Sequence, residues 1–213
     1  IRRSGIIAIS LKEDDDLIDV KLTTGNDDII IGTKKGNAIR FNESEVRPTG
    51  RTSQGVIGID LRPGDEVVEM AIVKPNCSLM TITSKGYGKR THFKKYNRIH
   101  RGGKGVLNIL LHAEDEDVVS IKTVNDRDEI LITTYRGNII RIPVSDIRII
   151  GRRTHGVTLI RFNDTNKDRV VAVAKIDSSL IYEDNAKEDE NNLNNYEYVD
   201  EEEFNDFNED ELD

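Results

Sequence analysis

The chain has 213 residues, a formal net charge of −8 and a single cysteine, Cys77. This length allows one or two domains, the lone cysteine excludes an internal disulfide, and no apolar run is long enough to span a membrane. Residues 177–213 hold 16 acidic residues and one lysine, whereas residues 1–176 carry a net charge of +7. Because so acidic a segment buries too little apolar surface to fold, we predict a disordered acidic tail at 177–213 after a folded domain at 1–176.

A repeat of about fifty residues organises the folded part. In each copy an arginine stands four residues before a glycine that opens an apolar run. The pairs are Arg51 and Gly55, Arg101 and Gly105, and Arg152 and Gly156, with a weaker copy starting at Gly5. Repeats of this length are typical of propellers and related arrays. The predicted blade repeats are 1–50, 51–100, 101–151 and 152–176.

The same elements follow in each repeat. An acidic turn leads into a second strand, which begins near Leu17, Val67, Val118 and Val170. The third strand contains Ile29, Leu79 and Ile130, and a glycine turn at Gly36, Gly86 or Gly137 joins it to the fourth. Short runs rich in β-branched residues suit strands covered on both faces. Glycine supplies the positive φ that tight hairpin turns need.

Four short strands in about fifty residues are the content of one propeller blade. No segment has a sustained helical period. The predicted fold is therefore all-β, a propeller-like array of three to four four-stranded antiparallel blades. Since each blade needs neighbours to cover its faces and edges, we expect the chain to be a fragment, with further blades upstream of Ile1.

The sequence carries no catalytic or metal-binding signature. Phosphate-binding glycine motifs are absent, and the histidines His92, His100, His112 and His155 lack metal-ligand spacing. Residues 164–168 resemble half of a calcium loop, but Arg169 replaces the required glycine. We therefore predict no catalytic residue, metal or cofactor in this chain.

One stretch is free of acidic residues. Residues 71–113 contain nine lysines and arginines and no Asp or Glu. It could be a solvated face balanced by acids elsewhere, or a surface that follows the phosphates of duplex DNA without reading sequence. Arginines at equivalent places on successive blades would form a curved track that bends the duplex. The predicted DNA-binding residues are Arg40, Arg51, Lys85, Lys89, Arg90, Lys94, Lys95, Arg98, Arg101, Lys104, Arg141 and Arg152.

Several runs resemble the C-terminal domain of the DNA gyrase A subunit. They are 27–41, 46–51, 55–68, 86–91 and 149–157, and the resemblance extends over residues 1–176. It implies a β-pinwheel of usually six blades that exchange strands and wrap DNA around a basic rim. It also implies a bacterial, cytoplasmic holoenzyme of two A and two B subunits that uses ATP and Mg²⁺ to introduce negative supercoils, with no membrane partner.

The family's characteristic box, Gln-Arg-Arg-Gly-Gly-Lys-Gly, aligns with Ile99, His100, Arg101, Gly102, Gly103, Lys104 and Gly105. The leading Gln-Arg is lost, so we interpret this copy as degenerate. The family's cleavage core and catalytic tyrosine match nothing in this chain. Two alternatives are the related domain of topoisomerase IV and a propeller that binds proteins. We also hypothesise that the acidic tail competes with DNA for the basic surface.

Overall fold

The computed structural model describes residues 5–163 and 168–178. The chain divides into two units, Ile1–Ile176 and Asp177–Asp213. The predicted acidic tail lies outside the described residues except for Asp177 and Ser178, and so does most of the segment that resembles a calcium loop. No helix in the described part is long and apolar enough to cross a bilayer.

Short β-strands dominate the described residues. They are β1 (Asp28–Thr33), β2 (Asn37–Asn42), β3 (Val67–Ile72), β4 (Ser78–Thr83), β5 (Tyr87–His92), β6 (Val106–Leu107), β7 (Val118–Val124), β8 (Glu129–Thr134), β9 (Ile139–Pro143), β10 (Val157–Thr158) and β11 (Val170–Ile176). A single-turn 3-10 helix follows each hairpin, at Glu43–Glu45, Phe93–Lys95 and Val144–Asp146. The predicted all-β class is confirmed.

The strands form three antiparallel sheets, with the orders β3-β1-β2-β6, β10-β5-β4-β7 and β11-β8-β9. A tight hairpin stands at the centre of the first two sheets and at one side of the third. The turn glycines Gly36, Gly86 and Gly137 have φ values of 82°, 83° and 86°. The predicted hairpins, and the positive φ at their glycines, are confirmed.

No sheet coincides with one sequence repeat. Strand β3, which pairs with β1, comes from the repeat after the hairpin β1–β2. The two-residue strand β6, which pairs with β2, comes from the repeat after that. The second sheet repeats this arrangement with β7 and β10. A blade therefore combines strands from up to three consecutive repeats, which is the strand exchange that the family resemblance implies.

Some predicted strands are absent. The apolar runs after Gly5 and Gly55 and the pair Leu17 and Ile18 form no strand. Their counterparts β6, β7 and β10 pair with the hairpin of an earlier repeat, and residues 5–27 contain no such hairpin. Leu17 and Ile18 are consequently more than half exposed.

The core lies between the stacked sheets. Leu79 of β4 packs with Ile30 of β1 and Ile121 of β7, whereas Met80 packs with Ile130 and Ile132 of β8. Strand β4 is buried at all six positions because alternate side chains enter two different cores. This explains why its apolar residues Leu79, Met80 and Ile82 do not alternate with exposed polar ones.

Candidate nucleic-acid interface

The acid-free stretch does not form one surface. Lys85 lies in the turn between β4 and β5, and its Nζ is 2.5 Å from Asp115. Lys94 and Lys95 follow the other end of β5, a strand of six residues that spans about 20 Å. The hairpin turns are paired with acidic turns, as the 2.8 Å contact between Lys35 and Asp117 also shows. Lys85 therefore lies at the acidic end of its sheet, away from the other predicted cations.

Lys89 is completely buried. Its Nζ donates hydrogen bonds to the carbonyl oxygens of Gly151, Arg152 and Thr154 at 2.8, 2.6 and 3.3 Å, and to Thr154 Oγ1 at 3.2 Å. Burial, and then the nearby charge of Arg152, lower its pKa to about 7. The prediction that Lys89 contacts DNA conflicts with this position, because the side chain faces the protein interior.

Arg40 and Arg90 join successive repeats. Arg40 forms a 2.7 Å ion pair with Asp28 and donates to the carbonyl oxygens of Phe93 and Tyr96 at 3.0 and 3.2 Å. Arg90 donates to the carbonyl oxygen of Ile147 at 2.7 Å, the position equivalent to Tyr96, and pairs with Asp126. Both arginines therefore hold a hairpin to the 3-10 turn of the next repeat and are structural in this fold.

The contact between Arg40 and Asp28 changes the pKa of the Asp28 carboxyl group. Burial raises its pKa, but hydrogen bonds from Asn42 and Arg40 and the charges of Arg40 and Arg98 outweigh that effect. The pKa of Asp28 is consequently below its usual value. Arg141 is the equivalent of Arg40 and Arg90 in the next repeat. It pairs with Glu129, but its side chain is 55% exposed.

Arg101 and Arg152 occupy equivalent positions. Arg101 Nη1 donates to the carbonyl oxygen of Ile57 at 3.0 Å, and Arg152 Nη1 donates to that of Leu107 at 2.8 Å. Ile57 and Leu107 are fifty residues apart, so the same contact recurs. Backbone carbonyls accept these bonds, and the positive charge is not neutralised as it would be by a carboxylate. Arg51, the first of the series, is exposed.

The degenerate box, Ile99 to Gly105, is folded tightly against the preceding repeat. The N–H of Gly102 donates to the carbonyl oxygen of Gly58 at 2.7 Å, and the N–H of Arg101 donates to Glu45 Oε2 at 3.0 Å. The latter bond holds the pKa of Glu45 below its usual value. Gly105 has a φ of 67°, and a Cβ there would lie 2.5 Å from the carbonyl oxygen of Ala38. Only glycine fits this approach.

Within the box, the ring of His100 and the side chain of Lys104 remain accessible. The His100 side chain is 98% exposed, with Nδ1 3.3 Å from Glu45, and Lys104 is exposed. Gly103 accepts a 2.9 Å hydrogen bond from the N–H of Asp60, and Ile99 donates its N–H to the carbonyl oxygen of Arg40. The box thus combines a rigid backbone with outward-facing polar groups.

Exposed cations concentrate in three equivalent connecting loops, 43–55, 93–105 and 144–156, each of which begins at the same end of its hairpin. We call their exposed lysines and arginines the loop cations: Arg47, Arg51, Lys94, Lys95, Arg98, Lys104, Arg148 and Arg153. Arg47, Arg148 and Arg153 were missed because they lie outside the acid-free stretch and outside the two series of repeated arginines, at Arg40 and at Arg51, from which the other residues were predicted. Arg47 could have been found from the repeat, since it stands 51 residues before Arg98.

The charges of the loop cations are largely available. Arg98 is 3.2 Å from Asp28, but its side chain is 58% exposed, and such surface ion pairs contribute only about 0–1 kcal/mol. The described residues contain no group of His, Cys, Asp and Glu side chains that could hold a metal ion. The arrangement is suited to binding an extended anion by many separate contacts.

Comparison with known proteins gives the family. The family model described as "DNA gyrase C-terminal domain, beta-propeller" matches residues 1–24, 27–74, 78–125 and 128–177. The last three segments each contain one hairpin and the long strand that pairs with it. The DNA gyrase A subunit of Clostridium acetobutylicum is 49% identical over 176 residues, which are 83% of this chain and 21% of that protein. Its counterpart in Halalkalibacterium halodurans is 55% identical over 190 residues, 89% of this chain and 23% of that protein.

Solved structures agree with this family. The C-terminal domain of DNA topoisomerase IV has a TM-score of 0.76 at 28% identity, and the match covers 90% of this chain and 58% of that one. The C-terminal domain of DNA gyrase A has a TM-score of 0.74 at 30% identity, covering 82% and 59%. The chain spans about a fifth of the length of the curated relatives named above. From the family model and these relatives, the chain belongs to the DNA gyrase C-terminal domain family of beta-propellers.

Proposed function

We propose that this chain binds duplex DNA through its phosphates and bends the duplex along the connecting loops, as the C-terminal domain of a gyrase A subunit. The observation that carries the proposal is the recurrence of exposed loop cations in equivalent loops after successive hairpins. The names of the relatives, which are A subunits of DNA gyrase, support it.

The loop cations suit phosphate binding because lysine and arginine neutralise phosphates and release counterions. Phosphate contacts fix the position of a duplex and carry no sequence information. Smoothly bending a few tens of base pairs costs on the order of 1–10 kcal/mol, so several loops must act together. Cations spread over three loops meet this requirement better than one dense patch would.

The whole enzyme, in this proposal, contains gyrase B subunits together with a second copy of the A chain, and it introduces negative supercoils in the cytoplasm at the expense of ATP. ATP and Mg²⁺ belong, in this proposal, to other parts of that enzyme, and the described residues of this chain contain no group of His, Cys, Asp and Glu side chains that could hold a metal ion. The sequence also lacks a glycine-rich phosphate loop. The contribution of the chain is to hold DNA, and no chemical step is assigned to its residues.

The DNA-binding domain of a topoisomerase IV is the second candidate, favoured by the TM-score of 0.76 to that domain. The gyrase proposal is supported by relatives at 49% and 55% identity. Both candidates bind DNA, and they differ in whether the whole enzyme introduces negative supercoils. A holoenzyme with this domain should introduce negative supercoils into relaxed plasmid if the gyrase proposal is right.

Salt dependence tests DNA binding directly. The affinity of the 213-residue chain for a duplex should fall steeply with salt, with a log–log slope of about −0.9 for each phosphate contacted. Contact by half of the loop cations predicts a slope of about −4. A slope near zero, which a protein-binding propeller would give, contradicts the proposal.

A further inference from the structure

Lys89 occupies a position where the other repeats have isoleucine. It lies in β5 at the place held by Ile39 in β2 and Ile140 in β9, and it is opposite Thr81 of β4. Ile39 belongs to an apolar cluster with Phe41 and Ile59. A lysine at such a position, with none of its surface exposed, is costly unless its ammonium group is fully hydrogen bonded.

All the oxygen atoms that accept hydrogen bonds from Lys89 belong to one connecting loop. An ammonium group has three donors, and four oxygen atoms of Gly151, Arg152 and Thr154 lie within 3.3 Å of Lys89 Nζ. The carbonyl groups of this loop are thus directed towards the interior of the sheet. The side chain of Arg153, between these residues, is left exposed.

The equivalent loop in the preceding repeat is held differently. There the N–H of Gly102 donates to the carbonyl oxygen of Gly58. The corresponding bond, from Arg153 to Asn108, is absent among the backbone hydrogen bonds of the described residues. Within the loop, the N–H of Thr154 donates to the carbonyl oxygen of Arg152 at 2.9 Å. The one backbone hydrogen bond between residues 151–154 and the rest of the described chain is that from Leu110 N–H to the Thr154 carbonyl, at 3.0 Å. Lys89 therefore takes over the anchoring that a backbone contact provides in the other loop.

We propose that Lys89 is a positioning residue, an inference that rests on the DNA-binding function proposed above. Its buried ammonium group anchors the loop 151–154 and so places Arg152 and Arg153 against DNA phosphates. Lys89 itself does not touch DNA. The loop has few other anchors, so loss of this ammonium group releases it. Arg152 is also held by the Leu107 carbonyl, and Arg153 has no such contact among the described hydrogen bonds. Loss of the Lys89 ammonium group should therefore displace Arg153 more than Arg152.

The anchor is sensitive to pH near neutrality. Burial and the charge of Arg152 lower the pKa of Lys89 to about 7, while its acceptor oxygens favour the charged form. The flanking strands β4 and β10 contain no ionisable side chain, and the loop adds Arg152, Arg153 and the exposed His155. Tyr96, which lies 5.8 Å from Arg152, stays neutral because burial raises its pKa. Neutral Lys89 has lost its charge-assisted bonds, so the loop loosens as pH rises above 7.

The test compares the wild-type chain with Lys89→Ile, which installs the residue found at Ile39 and Ile140, and with Lys89→Met. Without DNA, hydrogen exchange at the amides of Leu110 and Thr154 should become about tenfold faster in both variants at pH 6.5, since bonds to a charged group are lost. DNA affinity should fall by a similar factor. In the wild type alone, the protection factor of these amides, which is corrected for the intrinsic rise of exchange with pH, and the DNA affinity should both fall between pH 6.5 and 8.5. The variants should lack this dependence.

A matched control removes the same charge from the surface. Lys94→Met should weaken DNA binding and reduce the salt slope by about 0.9, with unchanged exchange at Thr154. Unchanged exchange and an unchanged pH profile in Lys89→Ile would overturn the positioning role while DNA binding stands. Absence of salt-dependent binding in the wild type would instead overturn the proposed function. If neither variant folds, the protection factor at Thr154 in the wild type decides the question: a fall between pH 6.5 and 8.5 supports the positioning role, and a constant value overturns it.

Discussion

Replacing Arg40 with alanine separates a structural arginine from a DNA contact. Arg40 was predicted to bind DNA, but its side chain is only 19% exposed and is paired with Asp28, which is 15% exposed. The variant leaves this carboxylate with bonds from Asn42 and Arg98. It also removes one donor from the carbonyl oxygens of Phe93 and Tyr96, of which the Phe93 carbonyl keeps the N–H of Tyr96 at 3.0 Å.

Breaking a buried ion pair costs about 3–5 kcal/mol, and the bonds that Asp28 retains place the expected loss at the lower end, about 3 kcal/mol. Denaturation with urea at pH 7 should measure it. The pKa of Asp28 is lowered in the folded state, so the stability it contributes is present above its usual pKa and is lost as the pH falls through the lower, folded value. The difference between the wild type and Arg40→Ala should therefore shrink only in strong acid.

The same variant should leave the salt slope of DNA binding unchanged under conditions where it is folded. Asn42→Ala is a comparison that removes no charge. It removes hydrogen bonds from Asn42 to Asp28 at 3.0 Å and to the Asn26 carbonyl at 3.3 Å, and the bond that its Oδ1 accepts from the Ser44 N–H at 3.0 Å. We expect it to lose about 2 kcal/mol. A loss below about 1 kcal/mol for Arg40→Ala, together with a salt slope reduced by a full contact, would refute the structural role.

Three further predictions follow from the loops and the tail. Gly105→Ala should destabilise the fold by about 2 kcal/mol, because the added Cβ meets the Ala38 carbonyl at a positive φ; Gly50→Ala, in open space, should be neutral in the same denaturation assay. Replacing Lys94 and Lys95 together should reduce the salt slope by about 2, whereas Lys85→Ala should not change it. Equal effects would contradict the conclusion that only the loop end of the hairpin, and not its turn, contacts DNA. Removing residues 177–213 should tighten DNA binding, because their charge of −15 competes with phosphate; unchanged affinity would reject the competition.

Local features of the fold could be predicted from the sequence. The hairpins around Gly36, Gly86 and Gly137 were predictable because an apolar run, a glycine turn and a second run are adjacent in the chain. The partners of β6 and β10 were not, since Leu107 pairs with Asn37 at a separation of seventy residues. Periodicity indicates that a strand exists and contains no information on which hairpin it joins.

The candidate site could be predicted only in part, because the sequence does not show which distant residues surround a charged side chain. Arg98 and Lys104 are exposed as expected, but a charged residue type predicts exposure only on average. Lys89 is buried because loop 151–154, sixty residues further on, supplies its acceptors. Arg40 is structural because Asp28 and the turn after β5 surround it. These partners come together only in the folded chain.

The curvature of bound DNA tests the central claim most directly. A duplex of several tens of base pairs, labelled at both ends for fluorescence energy transfer, should bring its ends closer when the chain binds, because cations in successive loops hold it along a curve. Replacing Arg51, Arg98 and Arg153 with alanine, one from each loop, should return the ends towards their free separation while the fold persists. A duplex that binds with steep salt dependence yet keeps the end-to-end distance of free DNA would contradict the account.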